Sequence, residues 1–309
     1  MGLRIYVTGD TGFVGSRLAE AWCATHELAG CSRQAAPMQA MEHQVVDLAE
    51  DPRRMEDLLE ALKPDVVVHT AAVSQPALLA RDLVRGRRVN VEAAHWIARW
   101  CRRRDRPLIA FSSDTVYGDA ALEEAPAGGW TEQAACAPAH LYGRSKADME
   151  AAVREQLPSA ILLRSSLLWG RSLPGQNSFS GWLLGRVAQQ DAPVPVFRDN
   201  RRHMLAAGAL TDMLDRLLGK LLAGGEAASP LQGPINLGGA QYLSREDFAR
   251  QLFRHLGLDE GRLQAMDTAD AQLAEAPARE LPLDLNRLEQ VLGVLPRVEE
   301  WLGTEYPAA

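Results

Sequence analysis

Cysteine is scarce in this chain. Its four residues, Cys23, Cys31, Cys101 and Cys136, lie far apart and never in C-x-x-C spacing. That spacing signals neither a zinc site nor a redox pair, and scattered thiols suit a reducing cytoplasm, the compartment expected here. Long apolar runs are missing as well: none approaches the roughly 18 residues of a membrane-spanning helix. No leader-like segment stands ahead of the first strand-like run, "LRIYVTG". Positive charge is not in excess. A net charge of -7 gives no pull toward nucleic acid or an anionic membrane. The one basic cluster, "RWCRRRDR" from Arg99 to Arg106, falls where a helix should end, and there cations complement the macrodipole. There is no fixed-period repeat and no low-complexity tract.

What is present is the composition of a globular protein with a large core, 47% hydrophobic and 24% charged. Strand-like and helix-like runs alternate. "LRIYVTG", "ELAGCS", "HQVVDL", "PDVVVHTAA", "PLIAFSS" and "SAILLRSS" read as strands. "GFVGSRLAEAWCATH", "DPRRMEDLLEALK", "VNVEAAHWIARWCRRR" and the segment around "YGRSK" read as helices between them. Asp51-Pro52 is a good cap and first-turn pair. "PDVVVHTAA" is almost unbroken apolar sequence, as befits a strand covered on both faces. This alternation predicts an α/β fold with a doubly wound parallel sheet. After Leu168 the texture changes to loops, short strands and Pro/Gly breaks. "SREDFARQLFRHLGL" reads as a helix capped by Ser244, with Asp247 three residues on, and a last helix lies near "LNRLEQVLG".

"VTGDTGFVG" places Gly9, Gly12 and Gly15 between the first strand and the first helix. The first glycine permits a tight turn, the second lets backbone approach a pyrophosphate, and the third lets helix and strand pack closely. With Thr11, Phe13 and Val14 they form a dinucleotide cradle at a helix N-terminus. Cofactor type is read at the end of strand two. NAD sites usually carry an acid there. Here "GCSRQ" offers Ser32 and Arg33, and a guanidinium there pairs with a 2′-phosphate. NADP(H) is therefore expected over NAD(H), which remains the alternative. In "VVDL", Asp47, next to Leu48, either bonds the adenine amine or caps a strand end.

Tyr142 and Lys146 stand four residues apart on a predicted helix and so share a face. A phenol with a pKa near ~10 is a weak acid–base partner at neutral pH. An ammonium about 4 Å away, at an effective dielectric near 20, is worth up to ~4 kcal/mol and should lower that pKa. Ser113 ends the preceding strand, and strand C-termini line the ligand crevice of such sheets. Its hydroxyl is placed to polarise a substrate carbonyl.

The stretches "TGDTGFVG", "VVDL", "PDVVVHTAA", "RVNV", "FSSDTVYG", "YGRSK" and "LRSS" resemble the extended short-chain dehydrogenases/reductases over nearly the whole chain. Ser113-Asp114, the layout "WTEQAACAPAHLYGRSK" and the ending "ARELPLDLNRLEQVLGV" look most like the dTDP-4-dehydrorhamnose reductase branch. The resemblance implies a Rossmann-type fold with a smaller C-terminal substrate-binding lobe. Residues 1–168 would form the dinucleotide-binding domain, to which the chain returns within 203–240, and 169–202 with 241–309 would form the lobe. It implies that Ser113, Tyr142 and Lys146 are the catalytic triad, that Lys146 also holds the nicotinamide ribose, that Asn90 positions both, and that Ala71 and Ala72 line the cofactor. Asp114, Asn177 and Arg202 would touch substrate, Arg202 in the segment "RRHMLAAGALTDML" at the nucleotide diphosphate. Ala209 stands where that segment usually has an aspartate, and Leu167 where the branch often has a tryptophan. Arg17 replaces a glutamate that binds magnesium in some reductases, so no metal is expected.

The expected activity is reduction of a keto-sugar nucleotide by NADPH. A homodimer, but no nucleic acid or membrane, is among the expected partners. Two alternatives share these motifs. One is an NAD-dependent nucleotide-sugar epimerase. The other is a non-catalytic NADP-binding regulatory subunit, because "AGCSRQ" and "SSDTVYG" also look like the β subunit of methionine adenosyltransferase.

Overall fold

The computed structural model describes residues 2–35, 41–118, 125–173, 176, 178–189, 192–225, 231–271 and 278–307. Asn177 lies outside the described residues.

Strand β1 (Arg4–Thr8) leads into helix α1 (Phe13–Trp22), and β2 (Glu27–Ser32) and β3 (Glu42–Val45) follow. Helix α2 (Arg54–Leu62) precedes β4 (Val66–His69). The helix starts two residues later than the expected Asp51-Pro52 cap: its N-cap is Arg53, without a side-chain cap bond, and Asp51 Oδ1 accepts the Arg53 N–H at 3.1 Å in the turn before it. Short helices α3 (Pro76–Arg81) and α4 (Leu83–Arg87) lead through a π-helical turn, Arg88–Glu92, into α5 (Ala93–Arg104). The sequence read this stretch as one regular helix. The π turn carries Asn90, and such turns recur at functional sites. Strand β5 (Leu108–Ser113), helix α6 (Leu141–Gln156) and strand β6 (Ile161–Ser165) complete the predicted alternation.

The main sheet has seven parallel strands. Its order is β11-β6-β5-β4-β1-β2-β3, where β11 is Gly233–Leu237 from the second half of the chain. The order reverses between β1 and β4, where such sheets bind ligands beyond their strand ends. Residues alternate between the sheet's faces. Ile5, Val7, Val68, Ile109 and Leu163 pack on one core. Tyr6, Val67, Leu108, Ala110 and Leu162 pack on the other, with α5 and α6.

The second half adds three two-stranded pieces. In these β7 (Leu168–Trp169) pairs with β10 (Leu205–Ala206), β8 (Val194–Phe197) with β13 (Leu263–Met266), and β9 (Arg201–His203) with β12 (Tyr242–Ser244). Helix Arg245–His255 starts with the predicted reciprocal cap: Asp247 N–H donates to Ser244 Oγ at 2.9 Å and Ser244 N–H to Asp247 at 3.3 Å. Helix Val298–Glu305 ends on a buried carboxylate. Glu305 accepts the N–H groups of Gly208 (2.6 Å) and Arg171 (3.0 Å), and the guanidinium of Arg17 at 3.1 Å. Arg17 thus ties α1 to the C-terminal helix. Among the described residues no helix is long and apolar enough to cross a membrane.

Candidate active site

The nucleotide loop follows from β1. Gly9 turns at φ 72°, and a Cβ there would lie 2.8 Å from the backbone N of Ala71. A Cβ on Gly15 would press into the Gly9 carbonyl and the Asp10 Cα. These two glycines let β1, β4 and α1 pack together. Gly12 differs: a Cβ there would meet only the Gly9 carbonyl oxygen, at 3.0 Å, and its other side is open. Gly12 is also the N-cap of α1, no side chain caps that end, and no acid lies in its first turn. The N–H groups of this turn therefore face the cleft as anion donors. Gly15→Ala is expected to cost about 1–3 kcal/mol, because its neighbours are backbone and cannot swing away. Thermal unfolding measures it.

One cleft of about 1700 Å³ runs from this loop across the ends of β1, β4, β5 and β6. A single small ligand usually fills roughly 300–1,000 Å³, so there is room for a dinucleotide and a second molecule. The cleft brings together Gly9, Thr11, Gly12, Phe13, Val14, Ser32, Arg33, Asp47, Leu48, Ala71, Ala72, Ser113, Asp114, Tyr142, Lys146 and Arg202. Gly15 and Asn90 lie beneath its surface. Arg33 is exposed on the rim. Asp47 Oδ1 accepts the Ala49 N–H (2.9 Å) and Oδ2 pairs with Arg85 (2.6 Å). Burial pushes this carboxyl up, but Arg85 and the Ala49 N–H outweigh it, and its pKa is lowered.

Asn90 is fully buried and ties three segments. Its Oδ1 accepts the Val73 N–H (2.7 Å), and its Nδ2 donates to the Val73 carbonyl (3.2 Å) and to Ser145 Oγ (2.9 Å). It therefore fixes the loop after β4 against α6, one residue before Lys146. Lys146 is buried, and its Nζ donates to the Phe111 carbonyl at 2.7 Å and stands 5.8 Å from the centre of the Tyr142 ring. Burial lowers its pKa to about 8. Ser113 Oγ donates to Asp114 Oδ1 (3.2 Å) and accepts from the Thr115 N–H and hydroxyl.

The tuning expected from the Tyr142/Lys146 spacing does not hold in sign. Burial, and then the charge of Asp114, push the Tyr142 phenol up. The ammonium is turned to the Phe111 carbonyl and does not offset them. The phenol is held in its protonated form.

Asp114 is buried against Ser166 Oγ (3.0 Å) and 3.4 Å from the Arg202 Nε. Burial raises its pKa, against Arg202 and these hydroxyls. The Arg202 fork closes on main chain, donating to the carbonyls of Arg201 (2.6 Å), Arg279 (3.1 Å) and Ala278 (2.5 Å).

Sequence reasoning missed another cleft arginine, Arg245. Arg245 stacks on the Phe179 ring at 4.6 Å, and its Nε donates to Asn200 Oδ1 at 2.7 Å. Its two terminal nitrogens have no hydrogen-bond acceptor among the described residues. Burial, with Arg202 nearby, lowers its pKa to about 10. A signal was available: a cation in the first turn of a helix opposes the macrodipole. Gln176 was also missed. Its amide donates to the Thr11 carbonyl (2.9 Å) and Ser16 Oγ (2.8 Å), so Gln176 rests on the nucleotide loop.

The family model described as RmlD substrate binding domain matches residues 3–302. The chain is 28% identical over 264 residues to a probable dTDP-4,6-dihydroxy-2-methyloxan-3-one 4-ketoreductase of Streptomyces antibioticus, covering 85% of this chain and 80% of that protein. It is 30% identical over 169 residues to methionine adenosyltransferase 2 subunit beta of Pongo abelii, covering 54% of this chain and 47% of that one. Its fold is that of the crystal structure of dTDP-4-dehydrorhamnose reductase from Bacillus anthracis in complex with NADP. The TM-score is 0.82, at 19% identity and with 99% of each chain covered.

Proposed function

The chain belongs to the RmlD substrate-binding-domain family of extended short-chain dehydrogenases/reductases, and from that premise we propose that it is an NADPH-dependent reductase of a keto-sugar nucleotide. The observation that carries this reading is that Ser113, Tyr142 and Lys146 line the same cleft as an uncapped glycine loop. That loop fits a dinucleotide: Gly12 leaves the approach open, and α1 offers free N–H groups.

A nicotinamide held at this loop would supply a hydride to the carbonyl carbon. The chain's part is to hold the carbonyl oxygen between Ser113 Oγ and the Tyr142 hydroxyl as charge develops on it. Tyr142 then gives that oxygen its proton and the product is an alcohol. The raised phenol pKa keeps this proton in place until an oxyanion calls for it. Lys146, bonded to the Phe111 carbonyl, presents its ammonium below the tyrosine ring.

For cofactor choice, Arg33→Ala should weaken NADPH binding about 10–100-fold and leave NADH nearly unchanged, since a hydrogen bond to a charged group is worth about 1.5–3 kcal/mol. Calorimetry on both cofactors tests this, and a wild type that binds NADH more tightly would overturn it. For the substrate, Arg245 is a cleft arginine whose terminal nitrogens are uncommitted among the described residues, and charge-assisted bonds suit it to an oxyanion such as a nucleoside diphosphate. Arg245→Gln should weaken binding of free nucleoside diphosphates at least tenfold in the same titration, with Arg245→Lys recovering part. Arg202→Lys should act on stability instead, because its partners are the chain's own carbonyls.

The similarity to the adenosyltransferase β subunit spans about half of each chain, and it supports the regulatory alternative less than the full-length family match supports a reductase. Turnover of NADPH with a panel of keto-sugar nucleotides decides between them. Recovery of the protein with NAD already bound would favour the epimerase.

A further inference from the structure

Arg33 stands between Ser32 and Gln34, and the Gln34 carbonyl is held from two sides. Ser32 Oγ donates to it at 2.7 Å, and His43 Nε2 lies 3.0 Å away. The other ring nitrogen, Nδ1, lies 2.7 Å from Asp10 Oδ2. Asp10 belongs to the glycine loop and its carboxyl is fully buried. It sits under β2 where Gly30 leaves space: a Cβ on Gly30 would lie 2.8 Å from Asp10 Oδ2. The ring of His43 is thus a strut between the floor of the nucleotide loop and the turn that carries Arg33.

Both ends of this strut are acceptors, a carboxylate oxygen and a carbonyl oxygen. A neutral imidazole has one N–H and satisfies only one of them. The two contacts coexist when the ring carries both protons, or when Asp10 is protonated and donates to Nδ1. Either way the pair holds one proton more than a neutral ring beside an ionised carboxylate. Without it, two lone pairs face each other across one of the contacts. Burial pushes the Asp10 carboxyl up, against the opposing pulls of His43, Ser32 and the Thr11 backbone.

We propose that Asp10 and His43 are positioning residues for the 2′-phosphate of NADPH: their shared proton pins the Gln34 carbonyl and so fixes the turn from which Arg33 reads the phosphate. This rests on the reading of Arg33 given above. The neighbouring groups do not supply the same titration. From β1, burial holds Tyr6 far above its ordinary range, with Cys31 and Asp10 adding to the shift. From β2, burial pushes the Cys31 thiol up to about 12. Glu42 on β3 is exposed, and Arg33 keeps its charge throughout. The ligand does not supply it either. A phosphate monoester has its second pKa near ~6 and is fully charged above about pH 7.

The sign follows. The pinned turn exists while the pair holds its proton and is lost as pH rises through the pair's titration. Preference for NADPH should therefore fall with rising pH even though the phosphate gains no proton.

Calorimetric titration of NADPH and NADH at about pH 7 and about pH 9 tests this on four proteins. In wild type the NADPH/NADH affinity ratio should drop about tenfold between the two, the effect of one charge-assisted bond. Asp10→Asn should keep the ratio at both pH values, because an amide N–H donates to Nδ1 and a neutral ring still donates from Nε2 to Gln34. His43→Ala should lower the ratio at both and leave NADH affinity unchanged. A wild-type ratio that is flat with pH, a His43→Ala ratio like wild type, or equal weakening of both cofactors would each overturn the proposal. Arg33→Ala separates the two levels. If it abolishes the ratio and His43→Ala does not, only the strut is wrong. If it leaves the ratio unchanged, the 2′-phosphate reading falls and the strut with it.

Discussion

Tyr142→Phe should lower single-turnover hydride transfer by about 10²–10⁴-fold, the range over which a positioned general acid contributes. The fold and cofactor affinity should stay close to wild type. The Tyr142 hydroxyl has no hydrogen-bond partner among the described residues, so its removal breaks nothing inside the protein and leaves no buried group unsatisfied. The ring keeps its place above Lys146. The loss should therefore appear in the chemical step, with the melting temperature unchanged. The pKa directions fit an acid rather than a standing phenolate: burial and Asp114 hold the phenol protonated, while burial lowers Lys146 to about 8. A Phe variant that turns over within a few-fold of wild type, once a reducible substrate is in hand, would remove Tyr142 from the acid role.

The sheet was legible because its signals are local. Apolar strands of period two or full burial, helices of period 3.6 and a glycine triplet at the first strand–helix junction each announce themselves within a dozen residues. The capping of the helix at Ser244 was legible for the same reason. Side-chain direction was not. Spacing put Tyr142 and Lys146 on one face, but the sign of the tyrosine's shift depends on burial and on Asp114, which lies 28 residues earlier in the chain. Arg202 and Arg245 are 43 residues apart, and the pairing of β9 with β12, with Arg245 bonded to Asn200, brings their neighbourhoods together. Which guanidinium closes on carbonyls and which keeps a free fork is decided by the main chain at Ala278 and Arg279, far along the sequence from both. Likewise, nothing near "GDTG" says that Asp10 will meet His43.

The largest loss of stability should come from Arg164→Met. Arg164 on β6 and Glu150 on α6 form a buried pair, with side chains 3% and 4% exposed, so solvent does not screen it. Arg164 Nε lies 2.9 Å from Glu150 Oε1 and Nη2 2.7 Å from Oε2, a two-pronged contact. The remaining Arg164 donors are used too, Nη1 by the Tyr117 hydroxyl at 2.8 Å and by the Glu132 carbonyl at 3.2 Å. Glu150 also accepts from Ser112 at 2.5 Å, one residue before Ser113. The pair therefore joins the helix of Tyr142 and Lys146 to the strands of Ser113 and Arg164. Removing one partner leaves the other charge buried and unpaired, which costs about 3–5 kcal/mol. Replacing both by apolar residues removes that penalty along with the attraction, and such exchanges are often close to neutral. The double variant Arg164→Met with Glu150→Met should thus be more stable than either single variant, a coupling that denaturant unfolding reads directly. Its carbonyl reduction should still be slower than wild type, because apolar contact does not fix the register of α6 on β5 as a forked ion pair does. A single-variant loss under about 1 kcal/mol, as for exposed pairs, or strictly additive losses in the double variant, would show that the pair is not the tie that holds the catalytic helix.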